Sequence, residues 1–205
     1  MNKLNKLKKI SADLRKFIYT VALDRGGHIS SSFSCLELLI SLHHGKILKI
    51  KNTKPKASLR DRFILSKGHA ELAYYSVLAD IKFFSKKKFI NSYKKNNYFF
   101  GGHVSHKVPG VELSTGSLGH GLSYGCGVAF AAKLDKKKFR TFVLLGDGEC
   151  TEGSVWEAAL FASKNKLNNL IAIIDNNNIA ALDYLNNFTK LSPLKKKWQS
   201  FNWEV

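Results

Sequence analysis

The stretch FVLLGDGECTEGSVWEAALFASKNKLNNLIAIIDNNN, Phe142 to Asn178, decides the fold of this 205-residue chain. Phe142, Val143, Leu144 and Leu145 form a short apolar run, the pattern of a strand buried on both faces of a parallel sheet. Gly146-Asp147-Gly148 ends it in a turn. From Ser154 onward Val155, Ala158, Ala159, Phe161 and Ala162 return at helical spacing, so a helix follows. Leu170 to Ile174 then make a second buried strand. A crossover through one helix makes the two strands parallel and right-handed. Asp147 and the cluster Asp175-Asn176-Asn177-Asn178 therefore leave the sheet at one carboxyl edge, where open α/β folds bind ligands.

Residue types say what that edge could hold. Asp147 offers a carboxylate, and an Asn of the second strand exit, thirty residues on at Asn177, offers an amide oxygen. Two hard oxygens with coordination positions left over suit Mg²⁺ bound together with a diphosphate. The flanking glycines let backbone N–H groups approach phosphate. An acidic residue in a Gly turn is by itself more often a plain turn residue; the Asn at the second exit adds the weight.

A Gly-Asp-Gly turn followed about thirty residues later by Asn resembles the thiamine-diphosphate signature. Three segments narrow the resemblance to transketolases: RDRFILSKGHA (Arg60 to Ala70), VPGVELSTGSLGHGLS (Val108 to Ser123) and GDGECTEGSVWEAA (Gly146 to Ala159). Similarity runs from about residue 10 to the C-terminus, and the chain is most similar to the N-terminal subunit of split transketolases, whose catalytic module is encoded as two chains. A deoxyxylulose-phosphate synthase shares the cofactor and is the nearest rival among enzymes; SKGH and STGSLGHG favour transketolase.

The resemblance implies an α/β fold of three layers, a mostly parallel sheet with helices on both faces. Residues 1–205 would be a single diphosphate-binding domain, lacking its own C-terminal end and the whole pyrimidine-binding module. It implies thiamine diphosphate and Mg²⁺, with Ca²⁺ as an alternative ion. The metal ligands would be Asp147, the Asn177 side chain and the backbone carbonyl of Ile179. Cofactor contacts would come from His69, Gly116, Leu118, Gly148, Glu152 and Asn177. His28, His69 and His103 would be catalytic, polarising substrate oxygens and moving protons, tasks that suit imidazole near neutral pH. The partners implied are sugar phosphates and a C-terminal transketolase subunit, in a dimer of two-chain units serving the pentose phosphate pathway. The absent module carries the Glu that activates the cofactor, so this chain alone is expected to be inactive.

Composition bounds the rest. With 44% hydrophobic residues the chain can bury one domain core. It carries 33 Lys and Arg against 15 Asp and Glu, net +18, which invites a polyanion partner. Yet 28 of the 33 cations are Lys, the poorer group for bidentate phosphate recognition, and they lie in scattered short runs. Biased composition on solvated surfaces, without specific nucleic-acid binding, is the expectation. Cys35, Cys126 and Cys150 share no close spacing, which points to a reduced, cytoplasmic compartment. Cys150 reads as a small packed side chain. The N-terminus has no uninterrupted apolar run of a secretory signal, and no segment is long enough to span a membrane.

In chain order, Leu4 to Leu23 reads as an amphipathic helix stopped by Gly26-Gly27. Ser30 to Ser32 are candidate caps for a helix over about Cys35 to His44. His43 and His44 read as surface or interface residues. A basic loop with Pro55 leads to a strand at Arg62–Leu65, with Ser66 to His69 as its exit turn. Helices are expected over Ala70–Ile81 and Lys86–Lys95, both structural, with a loop between Asn96 and Gly119 of a length that is usually either functional or disordered. A helix over His120–Leu134 follows, its small residues permitting close packing. Glu152, beside a helix start, reads equally well as a simple cap. After a polar loop, a helical pattern spans Leu191 to Phe201, and Trp203-Glu204-Val205 looks like the start of another strand. Two readings of other classes remain beside the enzyme: a non-catalytic scaffold half, and a polyanion-binding module.

Overall fold

The computed structural model describes residues 2–51, 57–95, 99–180, 183–187 and 189–205; residues 52–56 of the expected basic loop, Pro55 among them, lie outside these. Chain contacts divide the molecule into two compact units, Met1–Asp61 with Gly68–Gly116, and Arg62–Lys67 with Ser117–Val205.

The first unit is helical. α1 (Lys3–Arg25) starts at Asn2, whose side chain accepts a hydrogen bond from Asn5 N at 2.8 Å. Leu14, Ile18, Val21 and Ala22 are its buried stripe, and it packs on α2 (Ile29–His43) and α3 (Glu71–Asp80). Gly26 and Gly27 take positive φ, 66° and 131°, and stop α1 as expected. α2 begins at Ile29, well before Cys35, so Ser30 to Ser32 lie inside its first turn and cap nothing. Ser32 is instead buried, and its Oγ accepts from Ala73 N at 3.3 Å. From Glu71 to Ala79 every residue of α3 is buried, as its nearly unbroken apolar sequence requires. α4 (Lys86–Ser92) is capped by Ser85 Oγ, which accepts from Lys88 N at 3.1 Å. It ends three residues sooner than the pattern predicts, because Tyr93 turns extended and buries its ring.

The second unit holds a parallel sheet of order β1-β2-β3, from β1 (Arg62–Leu65), β2 (Thr141–Gly146) and β3 (Leu170–Asp175). Register pairs Leu65 with Leu144 and Gly146 with Asp175. β2 is central and buried from Thr141 to Leu145. At the sheet edge β3 is only half-buried from Ile171 to Ile174, where its apolar sequence predicts full burial. α5 (His120–Leu134) lies on the sheet and α6 (Gly153–Lys164) packs on α5. Gly125 permits the first contact: a Cβ there would sit 2.6 Å from Val143 Cγ2. β4 (Ile179–Ala180) and β5 (Asp183–Tyr184) form a small antiparallel pair where the sequence suggests only a polar loop. α7 (Leu194–Ser200) follows. Trp203 to Val205 form no strand; the Trp203 indole packs on Trp198 and donates to Ala159 O at 3.1 Å. That anchorage holds the segment on α6 and α7, away from strand pairing.

One habit recurs at helix ends. Lys82, Lys94, Lys136 and Lys166 each stand two residues beyond α3, α4, α5 and α6, and Lys46 stands just after α2, all at φ between 49° and 67°. This is the left-handed position that glycine fills most easily.

Candidate functional site

Chemistry-bearing side chains gather separately in each unit. In the second, the β2 exit turn carries Asp147, whose Oδ1 accepts from Gly148 N at 2.9 Å and whose Oδ2 accepts from Asn178 N at 2.6 Å. The two strand exits are thereby joined. A carboxylate oxygen has two acceptor directions, so each Asp147 oxygen keeps one beyond these bonds. Asn177 Oδ1 accepts from Ile179 N at 2.9 Å. Gly148 is required by close approach, since a Cβ there would lie 2.8 Å from Ala180 Cβ and 3.8 Å from Ile179 O. Asp147, Gly148, Asn177 and Ile179 thus occupy one corner. Among the described residues no three His, Cys, Asp or Glu side chains gather as a metal-binding group; the donor set at this corner has one carboxylate, with amide and carbonyl oxygens beside it.

Two buried features of this unit have no signature in the sequence. Lys67 donates to Asp175 Oδ2 at 2.5 Å, with both residues buried, so Asp175 is half of an ion pair. Glu149 is 2% exposed; it accepts from Ser66 Oγ, from Gly119 N at 2.9 Å and from Gly146 N at 3.2 Å. Burial pushes its carboxyl above the ordinary range, against the pull of these donors. Glu149 fixes the β1 exit, the start of α5 and the β2 exit at once. Glu152 is exposed and makes no side-chain cap on α6, which removes the simple capping reading. Leu118 is half-buried ahead of Gly119, which takes φ 86° before α5. Cys150 is a buried free thiol, pushed up to about 12 by burial first and by Glu149 and Asp147 next, which leaves it a packed side chain as expected. A groove of about 620 Å³ runs beside the edge strand, lined by Leu170, Ala172 and Trp203 among others, and contains none of the predicted site residues.

The first unit brings its three predicted histidines together from three segments. The His28 ring lies 6.1 Å from that of His69 and 5.2 Å from that of His103, centroid to centroid. His69 sits in a short helical turn at Gly68–Ala70. Burial, then the neighbouring His28 and Lys94, hold His103 below its usual pKa. Gly116 lies beneath His103: a Cβ there would be 3.1 Å from His103 Cδ2. Nothing in the sequence pattern marks Glu71, fully buried at the start of α3, with Tyr93 Oη donating to its Oε1 at 2.8 Å and His28 Nδ1 at 3.2 Å from its Oε2. α3 and the residue that ends α4 thus place a buried carboxylate and a hydroxyl beside His28. His43 is not a surface residue: it is buried, its Nδ1–H donates to Leu39 O at 2.8 Å, and burial lowers it to about 4. His44 pairs with Asp80 at 2.8 Å.

Among the described residues no helix is long and apolar enough to cross a membrane. The chain matches, over residues 8–205, the family described as transketolase, thiamine diphosphate binding domain. It is 39% identical to an apulose-4-phosphate transketolase subunit of Phocaeicola vulgatus over 93% of this chain and 67% of that protein. To the protein of the same name from Actinobacillus succinogenes it is 41% identical, over 97% of this chain and 72% of the relative. A crystal structure of transketolase from Campylobacter jejuni superposes with a TM-score of 0.86 at 26% identity, covering all of this chain and 33% of that one. The fold is therefore the three-layer α/β fold expected, and the chain spans about a third of the single-chain enzyme.

Proposed function

Since this chain belongs to the family of transketolase thiamine-diphosphate-binding domains, we propose that it is the cofactor-binding subunit of a two-chain transketolase. With a C-terminal subunit it would move a two-carbon ketol unit from a ketose phosphate to an aldose phosphate. The two bacterial relatives are named as subunits, which supports a partner chain, and their named substrate supports a sugar phosphate. A dimer of two-chain units in a reducing cytoplasm is the assembly that goes with this reading.

The observation that carries the proposal is the convergence of His28, His69 and His103 from three separate segments. Thiamine diphosphate, when bound, supplies the electron sink that breaking a carbon–carbon bond beside a carbonyl requires. This chain's residues would do the remaining work. The three imidazoles would hydrogen-bond sugar oxygens and shuttle protons; His103, held below its usual value, would be neutral near pH 7 and able to accept. In the second unit, Asp147, the Asn177 side chain and the Ile179 carbonyl would hold Mg²⁺. The fit is good: hard oxygens, one negative charge, and a turn where a Cβ at Gly148 would meet Ala180. Gly148 and Asn177 would meet the diphosphate, and Leu118 and Glu152 would contact the cofactor; in the first unit His69 and Gly116 would do so.

Calorimetry with thiamine diphosphate and Mg²⁺ tests this, on the chain alone and mixed with the C-terminal subunit from the same source. Binding and ketol transfer in the mixture are the expected results, with both lost in Asp147→Ala. Native affinity in Asp147→Ala would sink the metal assignment, and absence of binding in both samples would sink the function.

A further inference from the structure

Glu71 has no part in the reaction described above, yet it is a fully buried carboxylate beside one of the three histidines. An acid goes into a protein interior only with partners that satisfy it. Glu71 has two. Tyr93 Oη donates to Oε1 at 2.8 Å, and His28 Nδ1 lies 3.4 Å from Oε1 and 3.2 Å from Oε2. The Tyr93 hydroxyl is fixed as a donor, because burial, followed by the Glu71 charge, raises its pKa far above the ordinary phenol value. Gly27 lets this happen next to His28: a Cβ at Gly27 would sit 2.5 Å from Tyr93 Oη. The carboxylate is thus held from below by tyrosine and faces the imidazole on its other side. Among the described residues, the other titratable groups about His28 are His69 and His103, with Lys94 beside His103. All are donors or amphoteric rings, so Glu71 is the acid among them.

We infer that Glu71 is a positioning residue for His28: its carboxylate accepts from Nδ1–H, which leaves Nε2 as the proton-accepting nitrogen for a sugar hydroxyl. A hydrogen bond at one ring nitrogen sets the tautomer at the other. His28 is 44% exposed at its side chain, so without this bond its ring and tautomer would be set by solvent. Burial pushes the Glu71 carboxyl upward, while Tyr93 and His28 pull it back toward the charged form. The assignment to a sugar hydroxyl rests on the transketolase reading; the tautomer does not.

The test is long-range ¹H–¹⁵N spectroscopy of the histidine rings in the whole chain, with His28 assigned by loss of its signal in His28→Asn. Spectra are taken about two units above the ordinary imidazole value of ~6.5, where the rings are neutral. The wild type is expected to show His28 protonated at Nδ1. Glu71→Gln keeps the side-chain shape but turns an amide N–H₂ toward Nδ1 once Tyr93 claims the oxygen, so the proton should move to Nε2. A wild-type His28 protonated at Nε2 overturns the inference without need of any variant; so does an unchanged tautomer in Glu71→Gln. In the complex with its C-terminal subunit, Glu71→Gln should lower kcat about 10-fold or more with little change in KM. A wild-type complex without ketol transfer would defeat the parent reading, while the tautomer still decides for or against Glu71.

Discussion

Glu71 and Glu149 are two carboxylates, one in each unit, equally shut away from water and put to opposite uses. Glu149 binds two backbone N–H groups and a serine hydroxyl, all rigid donors from the sheet exits and the start of α5. It works as a staple. Glu71 binds a tyrosine hydroxyl and a half-exposed imidazole, so one of its partners faces solvent. Burial raises both carboxyls, but only Glu71 hands the consequence to a side chain that could meet substrate. What a buried acid does depends on whether its partners can move.

The comparison breaks most readily at Glu149. Glu149→Leu leaves three donors without this acceptor, two of them buried, and should cost about 3–5 kcal/mol in urea unfolding; a loss below about 1 kcal/mol would mean Glu149 is no staple. His43 sharpens the contrast as a buried base whose ring donates to Leu39 O. Its value is lowered to about 4, so the unfolded chain takes up the proton first as pH falls from ~6.5, and stability drains between about 6.5 and 4, by about 3 kcal/mol in all. His43→Leu should flatten that slope. The raised carboxyls work the other way. Their contribution is complete below the ordinary carboxylate range and fades as pH rises through the folded value, so Glu71→Gln and Glu149→Gln should each make stability less sensitive to rising pH. Tyr93→Phe removes one donor from Glu71 and should cost about 1–2 kcal/mol by the same urea assay. The smallest effect belongs to the exposed Arg15–Glu37 pair, 2.8 Å apart: Arg15→Ala should change stability by under about 1 kcal/mol.

Local patterns carried much of this molecule. β2, α6 and β3 follow from two apolar runs flanking a helical period, and the corner of Asp147 and Asn177 follows from where those runs stop. The histidines could be named only through the resemblance, since nothing in their spacing brings 28, 69 and 103 together. Lys67–Asp175 and Glu71–Tyr93 are pairs 108 and 22 residues apart, formed by packing alone, and no period or motif announces them. α2 starts early because Gly27 turns the chain at once, a backbone event that the serine-rich sequence conceals. Trp203 defeats the strand expectation because an aromatic and aliphatic ending resembles a strand until its indole finds a carbonyl on α6.

The left-handed lysines beyond α2 to α6 bear on where this protein carries its charge. A non-glycine residue in that conformation is strained by about 1–2 kcal/mol, and a basic side chain at a helix end is otherwise harmless, because cations complement the terminal carbonyls. Lysines at these exits add charge where the backbone suffers a little and the core not at all. Part of the +18 charge thus stands at helix exits, on exposed side chains outside the buried core.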